Sequence, residues 1–103
     1  MTEQQQVYQV IRQIPAGRLC SYGRVAAMAG LPGRARWVGM LLSRLPDDTG
    51  LPWFRVVNAS GKISFPAHSA SYRRQLDRLV EEGSAERGGK VLWRQCRWPD
   101  HWR

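Results

Sequence analysis

The segment Gly30-Leu31-Pro32-Gly33 is a short turn between two stretches with helical spacing. Glycine and proline in such a cluster interrupt a helix and favour a tight turn. Before the turn, Ser21 is a suitable N-cap for a helix with apolar positions at Val25, Met28 and Ala29. After it, a helix is predicted from Arg34 to Leu45. Two short helices joined in this way are typical of a helix-turn-helix, although an αα-hairpin unrelated to DNA has the same pattern.

The helix predicted after the turn has one apolar and one polar face. Its apolar stripe, which must face the core, consists of Val38, Leu41, Leu42 and Leu45. The opposite side carries Arg36, Met40 and Ser43, with Gly39 at the flank. A glycine within a helix costs roughly 1 kcal/mol relative to alanine, which favours a packing or contact role for it. This face suits a helix that lies against a nucleic-acid backbone; an ordinary solvated surface arginine is the alternative.

Two further helices are predicted around this pair. The first runs from Thr2, its N-cap, to Ile14, and the proline and glycine that follow stop it. The other is capped by Ser69 or Ser71 and ends at Gly83, a good C-terminal glycine.

The predicted β-structure is small. Residues from Val56 to Ser64 have the pattern of strand, turn and strand, which would form a hairpin or wing. A last short strand is predicted from Val91 to Trp93. We therefore expect one domain over residues 1–103, mainly α with a small β wing.

The segment Leu51 to Val57 places two aromatic rings where a loop becomes a strand. Pro52 favours an extended or turn conformation before Trp53 and Phe54, and a β-branched pair follows Arg55. Consecutive side chains of extended backbone point to opposite sides. One ring is therefore expected in the core and the other at a pocket or the solvent, unless both are core residues.

The charge of the chain favours a nucleic-acid partner. Sixteen Lys and Arg residues against eight Asp and Glu residues give a formal net charge of +8 at pH 7 and a pI near 10.8. A balance of this kind favours nucleic acid over a membrane or an acidic small molecule. No apolar run has the length of a membrane span and the N-terminus is not a signal peptide, so a cytoplasmic protein is expected.

The two cysteines offer no obvious chemistry. Cys20 and Cys96 lie far apart without metal-ligand spacing, and neither has a defensible histidine base beside it, since His68 and His101 are the two histidines. Reduced thiols, no metal and no cofactor are expected.

Several motifs in register resemble those of the O6-alkylguanine-DNA alkyltransferases. Ile14 to Arg18, followed by Ser21-Tyr22-Gly23, is similar to the Ile-Pro-x-Gly opening and the (Ser/Thr)-Tyr-Gly of that family. Arg36-Trp37-Val38-Gly39 resembles the Arg-Ala-Val-Gly of its recognition helix. Pro52 to Val56 resembles its active-site motif Pro-Cys-His-Arg-Val, with tryptophan in place of cysteine and phenylalanine in place of histidine. The resemblance covers roughly residues 7–83.

The loss of the cysteine indicates the alkyltransferase-like proteins, which bind alkylated guanine without repairing it. Because Trp53 and Phe54 replace the nucleophile and its histidine, the resemblance implies that the protein is not an enzyme. Glu82 matches the glutamate of the family's catalytic hydrogen-bond chain and, with nothing left to orient, is expected to be structural.

The resemblance also implies roles for individual residues in a winged helix-turn-helix domain. Tyr22 would help to rotate the phosphate beside the flipped nucleotide, and Arg36 would enter the minor groove and fill the gap that the nucleotide leaves. The implied DNA-binding residues are Tyr22, Arg36, Gly39, Met40 and Ser43. The implied lesion pocket consists of Tyr22, Trp53, Arg55, Val56, Ser69 and Tyr72.

The implied partners are double-stranded DNA containing O6-alkylguanine and, after the lesion is flagged, the proteins of nucleotide excision repair. A monomer without a membrane partner is expected.

Three other functions are compatible with the sequence. An active alkyltransferase would use Cys20 or Cys96 as its nucleophile. A winged-helix transcription factor would prefer one operator sequence and gain nothing from an alkylated guanine. A basic interaction domain would use its tryptophans merely as core residues, and replacing Arg36 would then leave DNA affinity almost unchanged.

Overall fold

The computed structural model describes residues 1–99 and is mainly helical. Its helices are α1 (Glu3–Gln13), α2 (Tyr22–Met28), α3 (Ala35–Ser43), α4 (Ala70–Glu81) and α5 (Trp93–Cys96). A single 3₁₀ turn spans Trp53–Arg55, and the two strands are β1 (Cys20–Ser21) and β2 (Val56–Val57). Within residues 1–99, no helix combines the length and apolarity that crossing a membrane requires.

Helix α1 begins and ends where the sequence predicts. The Thr2 hydroxyl accepts a hydrogen bond from the backbone N–H of Gln5, whose side chain accepts one from the N–H of Thr2. This reciprocal pair is a capping box. The apolar face of the helix is buried through Val7, Val10 and Ile11.

Helices α2 and α3 form the predicted pair around a glycine turn. Ser21 caps α2 by accepting the N–H of Arg24. Gly30 lies just beyond the helix end with φ at +82°, and the N–H of Leu31 donates to the carbonyl oxygen of Ala26 at 2.8 Å. This bond, together with the left-handed glycine, closes the helix end. The predicted helix-turn-helix is therefore confirmed.

The two strands pair differently from the predicted hairpin. Strand β1 lies parallel to β2, with Cys20 opposite Val56 and Ser21 opposite Val57. The predicted second strand around Ile63 is wrong, since that segment is irregular. The side-chain oxygen of Asn58 accepts the N–H groups of Ser60 and Lys62, so residues 58–62 form a closed turn.

Helix α4 covers the side of the sheet away from α1 to α3. Ser69, the first of the two predicted caps, accepts the N–H of Tyr72. The predicted end at Gly83 is confirmed, with φ at +80° and the N–H of Ser84 bonded to the carbonyl oxygen of Leu79 at 2.8 Å. Leu79 packs with Leu19, Val57 and Ala85 in one core cluster, while α1, α2 and α3 enclose the other.

The C-terminal segment packs back onto the fold as far as it is described. The predicted strand at Val91 to Trp93 is wrong except for one antiparallel bridge between Val91 and Ala85, because Trp93 begins α5. Leu19 pairs with the segment after α5, donating to the carbonyl oxygen of Cys96 and accepting from the N–H of Trp98. His101 and the rest of residues 100–103 lie outside the described residues.

A substitution at Gly61 tests the contact between α5 and the turn after β2. Gly61 has φ at +77°, and a β-carbon there would lie 2.3 Å from the Trp93 ring. We expect Gly61→Ala to lower the free energy of unfolding by roughly 1–3 kcal/mol, because it adds both backbone strain and a clash. Denaturant unfolding measures the change. The control is Gly88→Ala, where no atom approaches within 4 Å; equal losses in the two variants would contradict the contact.

Candidate DNA-binding and lesion site

The outer face of α3 is exposed as the helical pattern predicts. Val38 and Leu42 are buried, whereas Arg36, Met40 and Ser43 are exposed. Within residues 1–99, Arg36 has no hydrogen-bond or ion-pair partner. Its guanidinium is therefore available to an external anion or base.

A cavity of about 480 Å³ lies between α2, α3 and the turn after β2, and we call it the Tyr22 cavity. The Tyr22 ring lies beside Gly39 of α3, 3.9 Å from the position of a β-carbon there. Burial raises the pKa of Tyr22 above its ordinary value, partly offset by the neighbouring Ser64 side chain, so the phenol keeps its proton at neutral pH. The wall consists of Ser21, Tyr22, Gly23, Ala35, Arg36, Gly39, Asn58, Ala59, Ser64, Phe65 and Pro66.

A second cavity, of about 330 Å³, lies between the end of α3 and α4, and we call it the Trp53 cavity. Trp53 is half-buried in its wall, while Phe54 is 2% exposed in the core. The predicted separation of the two rings is confirmed, although a 3₁₀ turn rather than extended backbone produces it. Ser43, from the outer face of α3, also lines this cavity.

Three aromatic rings form a row through this region. The Trp53 ring is edge-on to Phe54, with centroids 6.1 Å apart, and edge-on to Phe65 at 6.2 Å. The Arg78 guanidinium lies 4.2 Å from the Phe54 centroid and also lines the Trp53 cavity. Edge-to-face rings and a cation over a ring are both favourable, so the row holds the half-buried tryptophan in one orientation.

Arg55 and Glu82 form a fork in which two guanidinium nitrogens donate to the two carboxylate oxygens. Arg55 Nε donates to Glu82 Oε1 at 3.0 Å, Nη2 donates to Oε2, and Nη1 donates to the carbonyl oxygen of Ile14 at 2.9 Å. The N–H of Gly17 donates to Glu82 Oε1 at 3.1 Å. Burial alone would raise the pKa of Glu82, but these hydrogen bonds and the charges of Arg55 and Arg78 outweigh it and hold the pKa below its ordinary value.

The structure places several of the expected pocket residues outside the walls of the two cavities. Val56 is 1% exposed within the core, because strand β2 is covered on both faces. Arg55 is drawn toward Glu82 instead of the cavities. Ser69 is occupied in capping α4, and the Tyr72 hydroxyl lies against Gly89. Of the expected pocket set, the cavity walls contain Tyr22 and Trp53, one in each.

Gln75 and Phe65 contribute to the site but carry no sequence motif. Gln75 Nε2 donates to the carbonyl oxygens of Phe54 and Val56 at 3.0 and 2.9 Å, which ties α4 to the segment around Trp53. Gln75 precedes the buried Leu79 by four residues, a spacing that places both on one helix face. Phe65 lies in an irregular loop, so neither helical nor strand periodicity predicts the position of its side chain.

Neither cysteine is arranged as a nucleophile. Cys20 is fully buried, and burial raises its pKa to about 12 despite the nearby charge of Arg24. Cys96 is half-buried in α5 and lines neither the Tyr22 nor the Trp53 cavity. Within residues 1–99, no group of His, Cys, Asp and Glu side chains could hold a metal ion.

The low pKa of Glu82 predicts that its contribution to stability depends on pH. The folded protein binds the Glu82 proton less tightly than the unfolded chain, so the contribution is complete above the ordinary value of 4.5 and is lost as pH falls through the folded-state pKa. We expect Glu82→Gln to lower the free energy of unfolding by roughly 1–3 kcal/mol at neutral pH, with a smaller loss at about pH 3. Denaturant unfolding across pH measures this. Glu86→Gln, at an exposed glutamate, is the control; a loss independent of pH would show that charge is not the cause.

Comparison with known proteins places this geometry in a family. The sequence profile of the 6-O-methylguanine DNA methyltransferase, DNA binding domain, matches residues 2–84. The chain is 45% identical over 94 residues to a DNA base-flipping protein of Vibrio parahaemolyticus, covering 90% of this chain and 92% of that protein. It is 44% identical over 77 residues to alkyltransferase-like protein 1 of Schizosaccharomyces pombe, covering 75% of this chain and 71% of that protein.

The fold agrees with the sequence match. A crystal structure of the Schizosaccharomyces pombe protein, in complex with damaged DNA containing O6-carboxymethylguanine, has a TM-score of 0.74 and 41% identity over 80% of this chain and 76% of that chain. This likeness confirms the predicted fold class, a mainly helical winged helix-turn-helix domain with a small β part. The chain therefore belongs to the family of the 6-O-methylguanine DNA methyltransferase DNA-binding domain and, within it, to the alkyltransferase-like proteins.

Proposed function

We propose that this protein recognises O6-alkylguanine in double-stranded DNA by rotating the damaged nucleotide out of the duplex, and that it holds the base without removing the alkyl group. The observation that carries the proposal is Trp53, a residue with no nucleophilic atom, half-buried in a cavity wall directly before the buried Phe54. The relatives named as base-flipping and alkyltransferase-like proteins support the same function.

Positive charge provides the first attraction to DNA. The formal net charge of +8 favours the phosphate backbone over neutral or acidic partners. Such binding releases counterions and weakens as salt rises, and it does not depend on base sequence. The specific step must then come from the exposed face of α3 and the cavities beside it.

Arg36 and Tyr22 are arranged for nucleotide rotation. Arg36 lies in the rim of the Tyr22 cavity with no partner within residues 1–99, so it can enter the duplex without breaking a contact inside the protein. The neutral Tyr22 phenol lines the same cavity, where a rotated phosphate or base would pass. Flipping costs a few kcal/mol and is easiest for a damaged, poorly paired base, which contributes to selectivity.

Both thiols are poor candidates for alkyl transfer. A cysteine attacks as the thiolate, and a pKa of about 12 leaves Cys20 protonated at neutral pH. Cys96 lies in α5, away from the walls that contain Tyr22 and Trp53. These placements favour retention of the lesion over transfer by either cysteine.

Retention of an unrepaired lesion requires another system to remove it, and we propose nucleotide excision repair for that role. The DNA with its bound protein would mark the site for those enzymes. This partner, the monomeric state and the cytoplasmic location stay predictions.

Binding to two duplexes that differ by one O6-methyl group tests the proposed function. At fixed salt, we expect roughly tenfold tighter binding to the methylated duplex, because the damaged base flips more readily and the methyl group gains apolar contact. Fluorescence anisotropy measures the affinities, and a radiolabelled methyl group is expected to remain on the DNA. Equal affinities would indicate a sequence-reading winged-helix protein, and a labelled protein would indicate an active alkyltransferase.

The role of Arg36 is tested by a pair of variants that remove the same charge. We expect Arg36→Ala to weaken binding to the methylated duplex roughly tenfold or more, since it removes both a charge and the group that fills the gap in the duplex. Arg12→Ala, at the exposed end of α1, is the matched control and reports the charge alone. If both variants lose the same affinity for the methylated duplex and unfold at the same temperature as the unaltered protein, Arg36 contributes only its surface charge.

A further inference from the structure

The two residues expected to meet the flipped base lie in separate cavities. Tyr22 lines the cavity at the rim of α3, and Trp53 lines the one between α3 and α4. Among the described residues, Phe65 is the single one that belongs to both walls. The Phe65 side chain is therefore the partition between the place where a nucleotide would enter and the tryptophan that replaces the nucleophile.

Phe65 is held mainly through its ring. The ring is half-buried and edge-on to Trp53, with centroids 6.2 Å apart and planes at 83°. Within residues 1–99, the backbone of residues 63–65 makes no hydrogen bond, in contrast to the closed turn before it and the N-capped helix after it. Between its fixed ends the segment is held by side chains alone, through the hydrogen bond of Ser64 to Tyr22 and the packing of Ile63, so the Phe65 ring can move without loss of backbone hydrogen bonds.

Both ends of this short loop are anchored. On one side, Asn58 closes the turn by accepting the N–H of Lys62 at 3.0 Å. On the other, the N–H of Ser69 donates to the carbonyl oxygen of Pro66 at 3.1 Å, and Ser69 caps α4. Motion of Phe65 is thus confined to the loop and does not require α4 or the sheet to shift.

We propose that Phe65 is a gate that sets the size of the O6-substituent this protein accepts. The proposal rests on the proposed function and assigns selectivity to one residue of the same site. A small O6-alkyl group would be accommodated against the Phe65 ring as it stands. A bulky or aromatic O6-substituent would need the space beyond it, and would reach Trp53 only after the ring leaves its edge-on position.

The gate has an energetic consequence that depends on substituent size. Displacement of the ring breaks its contact with Trp53, so each bulky adduct is bound at the expense of that aromatic pair. A small adduct keeps the pair and gains the ring as an additional apolar wall. Removal of the Phe65 ring therefore raises the affinity for bulky adducts and lowers the affinity for small ones. General destabilisation of the protein would not change the relative affinity in this way.

The test uses the full chain and three duplexes that differ at one position: guanine, O6-methylguanine and O6-benzylguanine. Fluorescence anisotropy at fixed salt gives each Kd, and the ratio of the methyl Kd to the benzyl Kd is the quantity compared. We expect Phe65→Ala to raise that ratio by roughly three- to tenfold, the equivalent of one aromatic contact, with a smaller rise for Phe65→Leu. Affinity for the guanine duplex should change by less than about twofold, because phosphate contacts dominate it.

Ile63→Ala is the matched control, since Ile63 lies in the same loop but packs toward α4 and lines neither cavity. Its ratio should equal that of the unaltered protein. The gate is disproved if the unaltered protein prefers the alkylated duplexes and both Phe65 variants keep its ratio, or if Ile63→Ala raises the ratio equally. If Phe65→Ala does not fold, Phe65→Leu decides on the same criterion. Failure of the proposed function looks different, since the unaltered protein would then bind all three duplexes equally.

Discussion

The fork between Arg55 and Glu82 is the interaction on which the rest of the site depends. One guanidinium joins the 3₁₀ turn to the end of α4, and it also reaches the carbonyl oxygen of Ile14 after α1. The same carboxylate accepts the N–H of Gly17. Three segments that are distant in sequence are thereby held at one point. Removing one partner of a mostly buried charge pair is costly, because the other charge is left buried without a partner. The fork is therefore a strong constraint on the geometry of the Trp53 segment.

The fork also helps to fix the conformation of the segment around Trp53. The carboxylate of Glu82 is occupied by the guanidinium of Arg55 and the backbone N–H of Gly17. Gln75 adds two bonds to the carbonyl oxygens of the same segment. The backbone around Trp53 is therefore held rigidly, and its ring is presented to a cavity where its π-face and apolar edge can contact a base.

The expected lesion pocket is divided into two cavities in the structure. The family resemblance implied one pocket, consisting of Tyr22, Trp53, Arg55, Val56, Ser69 and Tyr72. In the structure, Tyr22 and Trp53 line separate cavities, and the other four residues line neither. Among the described residues, Phe65 is the one that lines both cavities, and its ring packs edge-on against Trp53. It lies in an irregular loop with no helical or strand periodicity, so the sequence pattern could not position it.

The sequence by itself determined helices α1 to α4, the capping residues of α1 and α2, and the exposed side of α3, because capping and helical periodicity are local properties of neighbouring residues. The motifs around Tyr22, Arg36 and Trp53 also determined the family. Only the tertiary structure decided that β2 pairs with β1 instead of forming a hairpin, and that Trp93 begins a helix packed on Gly61. Both outcomes depend on contacts between residues far apart in the chain. A buried strand edge selects the strand that pairs with it, and the space left by a glycine selects the ring that packs there, so no local sequence pattern encodes either contact.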